Sequence, residues 1–150
     1  MLKVNDDVIF GSFEYVSFPL LGVNHEIAKI DTGAYSGAVH CDHLEIKKRK
    51  LDGKKVLRLY QSNDKSRVVE IEDWQTIKVR SSTGHEVKRH LIQTSVEVNG
   101  HEYPITIGLT DRSKMHCKIL IGRRFLRENN ILVNTRMNEE LDKDSEERKV

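Results

Sequence analysis

Val96-Glu97-Val98 and Tyr103-Pro104-Ile105-Thr106-Ile107 flank the dipeptide Asn99-Gly100, and no other local signal constrains this chain as strongly. Asn and Gly both tolerate the positive φ that a two-residue type I′ turn requires, and that turn has the twist of the strands it joins. An antiparallel hairpin is therefore predicted at 96–107. Similar signals recur along the chain. Phe13-Glu14-Tyr15-Val16-Ser17-Phe18 is aromatic and β-branched and is closed by Pro19, which predicts a first strand. Gly22-Val23-Asn24 predicts a turn into a strand ending at Asp31, and residues 38–41 and 44–46 predict short extended segments. Asp52-Gly53 predicts a second hairpin between 44–51 and 56–60, with four consecutive bases weakening its first arm. Residues 61–66 read as a loop. Residues 67–71 and 76–80 predict strands on either side of the lone Trp74, and 81–85 predicts a turn that lets 86–92 pair back.

Lys118-Ile119-Leu120-Ile121-Gly122 is almost wholly apolar and predicts a strand buried on both faces. Residues 123–130 predict the one short helix, with Phe125 and Leu126 inward, and Ile131-Leu132-Val133 returns to extended structure. Many short strands with turn signals at short intervals define an all-β domain, a closed barrel or sandwich with one short C-terminal helix. At 150 residues one domain is expected, over 1–135, followed by a charged and mobile tail over 136–150.

Charge patterning excludes several classes. No run is long and apolar enough to span a bilayer, and Asp6 and Asp7 stand where a signal peptide carries bases, so a cytoplasmic protein without membrane partners is expected. Cys41 and Cys117 are too few for a disulfide framework and are expected to be free thiols. Nine Lys or Arg against three acids lie between Glu45 and Arg67, whereas 139–150 holds six acids against three bases. Tyr60 is the basic stretch's only aromatic, so it lacks the interleaved rings of a single-strand nucleic-acid surface and reads as a solvated strand pair.

The chemistry is expected at Ile27-Ala28-Lys29-Ile30-Asp31-Thr32-Gly33-Ala34, where an apolar strand ends in a carboxylate followed by a tight turn. Thr32 adds a hydroxyl, and Gly33 is expected to supply a backbone conformation closed to residues with a Cβ. Alone, Asp-Thr-Gly reads as a surface acid opening a turn. Taken with Ile119-Leu120-Ile121-Gly122-Arg123 near the end of an all-β chain, it resembles the retroviral-protease-like aspartic endopeptidases. More narrowly, 28–34, Tyr103-Pro104-Ile105, Leu109-Thr110-Asp111-Arg112-Ser113-Lys114-Met115 and Leu120-Ile121-Gly122-Arg123 resemble a bacterial retropepsin-like family formerly labelled an ATP-dependent zinc protease.

That resemblance implies a retropepsin fold working as a homodimer, with Asp31 of each subunit forming one catalytic dyad. The chemistry of such a dyad needs two carboxyl groups sharing a proton, and one Asp-Thr-Gly per chain leaves a twofold partner as the simplest source of the second. Thr32 is then expected to hold the two turns in register, Gly33 to allow their close approach, Ala34 to complete the turn and Gly122 to pack behind it. A peptide or protein substrate, acidic in one version, is implied, with no cofactor. The family pattern continues after Ala34 with a base, a hydroxyl residue and Ser, whereas this chain has Tyr35, Ser36 and Gly37. The flap is expected in the hairpin at Ser82, Thr83 and Gly84, with the Asp52-Gly53 hairpin as its rival.

Two other readings compete. One is a retropepsin-fold binding module that does not cleave. The other is a zinc peptidase built on His40, Cys41, His43, His116 and Cys117, but His-Glu-x-x-His is absent, and adjacent strand residues such as His40 and Cys41 diverge. No metal site and no phosphate-binding loop is therefore expected.

Overall fold

A computed structural model of the protein describes residues 7–60, 68–80 and 83–142. In chain order the strands are β1 (Val8–Phe10), β2 (Phe13–Phe18), β3 (Val23–Ile30), β4 (Ala38–His40), β5 (His43–Lys48), β6 (Lys55–Tyr60), β7 (Val68–Ile71), β8 (Gln75–Arg80), β9 (Glu86–Val98), β10 (His101–Thr110) and β11 (Ile119–Ile121). Helix α1 (Arg123–Glu128) and strand β12 (Ile131–Val133) follow. The predicted loop at 61–66 lies outside the described residues.

The Asn99-Gly100 hairpin forms as its turn chemistry requires, with φ of +51° and +79° at the two residues. It pairs β9 with β10 from His101↔Val98 to Leu109↔His90. This hairpin also closes the barrel. The order β10-β4-β11-β3-β2-β9 returns to β10 through the hairpin itself, giving a closed ring of six strands with β8 added outside β9. Closure leaves few free edges and encloses a core of alternating inward residues. Ala28 and Ile30 of β3, Ile92 and Val96 of β9, Ile105 and Ile107 of β10, and Ile119 and Ile121 of β11 are all buried there. Each large apolar side chain so enclosed contributes about 1.5–3 kcal/mol.

β11 departs from expectation in one respect that matters for the site. Ile119 and Ile121 face the core, but Leu120 is only half-buried and points the other way. The strand is central in the sheet without being covered on both faces. The helix forms as predicted with Phe125 and Leu126 buried, and Phe10, Tyr103 and Phe125 close one end of the barrel with ring centroids 5.8–6.2 Å apart.

β1 was not expected. Its three residues show one inward side chain, Phe10, too little pattern to read, yet it pairs in parallel with β12 through Val8↔Ile131, Ile9↔Leu132 and Phe10↔Val133. β5, β6 and β7 form a separate three-stranded antiparallel sheet whose Leu57 and Leu59 reach the core. Its basic residues are partly neutralised at home: Arg49 pairs with Asp52, Glu70 and Glu72, and Arg58 pairs with Glu70.

Contacts with the barrel continue past residue 135. The Met137 carbonyl accepts a hydrogen bond from the Ser12 amide at 3.0 Å, and Asn138 Nδ2 donates to the Phe13 carbonyl at 2.8 Å and to Glu14 Oε2 at 2.7 Å. Glu14 is buried, and it also accepts from the Gly11 amide and from Asn99 Nδ2. A buried carboxylate with these donors ties residues 136–142 and the Asn99 turn to the same end of the barrel. Of the segment expected as a tail, 143–150 lie outside the described residues. No helix among the described residues is long and apolar enough to cross a membrane.

Candidate active site

β3 alternates, so Ala28 and Ile30 enter the core while Lys29 and Asp31 fall on the opposite face. The Asp31 amide donates to the Ile121 carbonyl at 2.8 Å, which carries the parallel β3–β11 pairing one residue past the end of the strand. The carboxylate then turns back on its own loop. Oδ1 accepts from the Gly33 amide at 2.9 Å and the Ala34 amide at 3.1 Å, a local arrangement that short acidic side chains favour at turns.

The start of α1 grips the same turn from outside. The Arg123 amide donates to the Ala34 carbonyl at 2.8 Å, the Arg124 amide to the Tyr35 carbonyl at 3.0 Å, and Arg123 Nη1 to the Gly33 carbonyl at 2.6 Å. Gly122 does lie behind the turn: a Cβ there would sit 2.3 Å from the Tyr35 carbonyl oxygen and 2.8 Å from the Gly37 nitrogen. Gly33 does not carry the conformational role expected of it. Its φ is not in the left-handed region, and a Cβ would meet only Asp31 Oδ1 at 3.3 Å. The position that does need glycine is Gly37, with φ of +75° and a would-be Cβ 2.3 Å from the Leu120 carbonyl oxygen. Gly37 and Tyr35, where the chain leaves the resembled pattern, are thus fitted to this structure. The guanidinium carbons of Arg123 and Arg124 lie 5.2 and 6.0 Å from the Tyr35 ring centroid, so positive charge reaches the turn from the helix instead of from position 35.

Asp31 lines a cavity of about 580 Å³ on the outer face of β2, β3 and β11. Lys29 and Leu120 share its floor, and the stacked rings of Tyr15 and His25, 4.4 Å apart, belong to its wall. The loop between β10 and β11 supplies Arg112, Met115 and Lys118. Arg112 belongs to one of the stretches that carry the family resemblance, but no role was expected of it there, and it is only 8% exposed. Its Nε donates to the Cys117 carbonyl at 3.0 Å. Burial and then the Arg89 charge hold its pKa below the usual arginine value, with Cys117 and Asp31 opposing them.

His40 fixes that loop. Its Nδ1 accepts from the Arg112 amide at 2.8 Å, so its Nε2 carries the proton donated to Asp42 Oδ1 at 2.7 Å. Lys118 Nζ caps the Arg112 and Ser113 carbonyls at 3.0 and 2.8 Å. Cys41 is buried with its thiol pushed up to about 11, chiefly by desolvation and then by the charges of Asp111 and Asp42. Among the described residues no three His, Cys, Asp or Glu side chains converge as metal ligands.

Thr32 is exposed and faces a second groove with Val8, Arg123 and Leu132. The hairpin expected at 81–89 forms as β8–β9, with Thr83 and Gly84 exposed at its tip, and Ser82 lies outside the described residues. Among the described residues, neither Thr83 and Gly84 nor the Asp52-Gly53 turn lines the Asp31 cavity.

A closed β-barrel with a single Asp-Thr-Gly turn at a strand end, backed by a glycine that follows an apolar strand, has the architecture of the retropepsin-like proteins. Residues 9–144 match the family model described as "RimB-like: Retropepsin-like aspartic endopeptidase RimB", and the chain belongs to that family. The chain is 29% identical over 120 residues to a protein of Shewanella halifaxensis named "Probable alpha-L-glutamate ligase", covering 77% of this chain and 26% of that one. A Desulfotalea psychrophila protein of the same name is 24% identical over 137 residues, covering 83% and 27%. The chain thus spans about a quarter of the length of these relatives. Among solved structures, a Legionella pneumophila protein of unknown function, Lpg0085, superimposes with a TM-score of 0.66 at 22% identity, covering 88% of this chain and 96% of that one. That likeness is one of fold.

Proposed function

We propose that the protein is an aspartic endopeptidase that hydrolyses peptide bonds at Asp31 by general acid–base catalysis. One observation carries the reading: the strand-end carboxylate is oriented by two amides of its own turn and opens on a cavity large enough for a peptide segment. The ionised member of a carboxyl pair removes a proton from water, and the protonated member gives one to the carbonyl oxygen of the scissile bond. Asp31 supplies one member and Asp31 of a second copy supplies the other. The exposed Thr32 supports this arrangement, as do the apolar side chains of Val8, Ile9 and Leu132 along β1 and β12, which a symmetric partner would cover.

The substrate we infer is an acidic peptide or protein tail in a cytoplasmic setting. Lys29, Arg112 and Lys118 stand around the Asp31 cavity, and relatives carrying a segment like this chain are named for joining glutamate. Turnover of a glutamate-rich peptide by the purified protein is the test. Asp31→Asn is expected to reduce it by about 10³-fold, and mixing that variant with wild type is expected to poison the dimer. Activity that survives Asp31→Asn overturns the proposal. Binding of the peptide by wild type without any cleavage favours the competing reading, a peptide-binding module, which the altered stretch Tyr35-Ser36-Gly37 motivates.

A further inference from the structure

We infer that Arg112 is the receptor for a substrate glutamyl side-chain carboxylate in the subsite next to Asp31. The inference rests on the acidic-substrate reading above and names the residue that would enforce it. Arg112 is nine-tenths buried, lines the same cavity as Asp31, and makes no ion pair among the described residues. Taking a guanidinium out of water is costly unless a carboxylate or several acceptors compensate it. Here the protein offers one acceptor, the Cys117 carbonyl at Nε, and no hydrogen bond among the described residues takes up the Nη donors. The Asp31 charge acts on the guanidinium across the cavity without a hydrogen bond or ion pair between them, which leaves the fork open beside the catalytic carboxylate.

The rest of the loop holds the guanidinium in place. His40 Nδ1 fixes the Arg112 amide, and Lys118 Nζ binds the Arg112 carbonyl, so the backbone is held on both sides of the residue. A rigidly held arginine with its terminal fork open to a cavity is suited to a planar carboxylate, which accepts two parallel N–H bonds. Lys118 is a poorer candidate because its ammonium already serves two carbonyls. Lys29 is exposed on a flexible stem and would add charge without geometry.

The experiment measures binding of an oligo-glutamate peptide to the full chain carrying Asp31→Asn, with each glutamate replaced in turn by glutamine. One position is expected to lose about 10-fold in affinity in that background, and to lose nothing further when Arg112→Gln is also present. Arg112→Lys is expected to restore part of the loss and to carry the test where Arg112→Gln fails to fold. Equal losses at that position with and without Arg112, or no binding of oligo-glutamate at all, overturn the inference. Cleavage by wild type is read separately. Arg112-dependent binding without any wild-type turnover overturns the peptidase reading alone, and turnover with Arg112-independent binding overturns the receptor alone.

Discussion

Two kinds of glycine turn in this molecule look alike in sequence and differ in what surrounds them. The turn after Asp31 is enclosed: Gly37 and Gly122 each have a carbonyl oxygen 2.3 Å from where a Cβ would stand, and three Arg123 or Arg124 nitrogens hold its carbonyls. The β8–β9 tip at Gly84 and the Gly53 turn have positive φ and, among the described residues, no atom within 4 Å of where a Cβ would stand. At the open turns glycine answers only to backbone conformation, whereas at the enclosed one it answers to neighbours brought from the far end of the chain. Orienting Asp31 requires the second kind, because a carboxylate held by its own loop is no more fixed than that loop.

Gly37→Ala should give the largest loss, about 4 kcal/mol by chemical denaturation, since it combines left-handed strain with a backbone collision. Gly122→Ala should follow at about 3 kcal/mol, from the collision alone. Both should also lower peptide turnover, because Asp31 loses its backing. If either variant is as stable as Gly84→Ala, the distinction between enclosed and open turns fails. Asn138→Ala extends the comparison to the 136–142 segment, which packs beside β2 and reaches the Asp31 cavity through Leu141. It removes two hydrogen bonds and leaves buried Glu14 short of a donor, for an expected loss of about 2 kcal/mol. Gly84→Ala should cost only about 1 kcal/mol, set by φ, and leave turnover unchanged.

The smallest effect concerns pH at the Gly53 turn. Hydrogen bonding from Arg49 first, and from the Lys54 amide next, holds the Asp52 carboxyl down at about 2. Its folded pKa lies below its unfolded one, so the contribution is complete above the unfolded value and is lost as pH falls from about 4 through about 2. Arg49→Met should flatten the stability profile in that window only. An effect there as large as that of Gly122→Ala would mean that exposed turns are held as firmly as enclosed ones.

Much of the fold was legible because it rests on neighbours in sequence. Asn99-Gly100 specified its hairpin through φ, the 13–18 and 118–122 runs specified strands, and Phe125 and Leu126 marked the inner side of α1. Asp31-Thr32-Gly33 was recognisable as a strand-end turn for the same reason. β1 escaped notice because three residues with one inward side chain carry no period, and its partner β12 lies at the other end of the chain. The Met137-Asn138 segment looked like tail because its charge signals solvent, while the buried Glu14 that binds it is distant in sequence.

What the sequence by itself determined, then, is the local chemistry: where strands turn, where the helix sits, and that a single Asp-Thr-Gly closes a strand. Tertiary structure alone decided that Gly37 and Gly122 leave no room for a Cβ at this turn, and that Arg112 is a buried cation on the Asp31 cavity. Conformational preference is set by a residue and its neighbours. Steric room and the desolvation of a charge are set by atoms that only folding brings together.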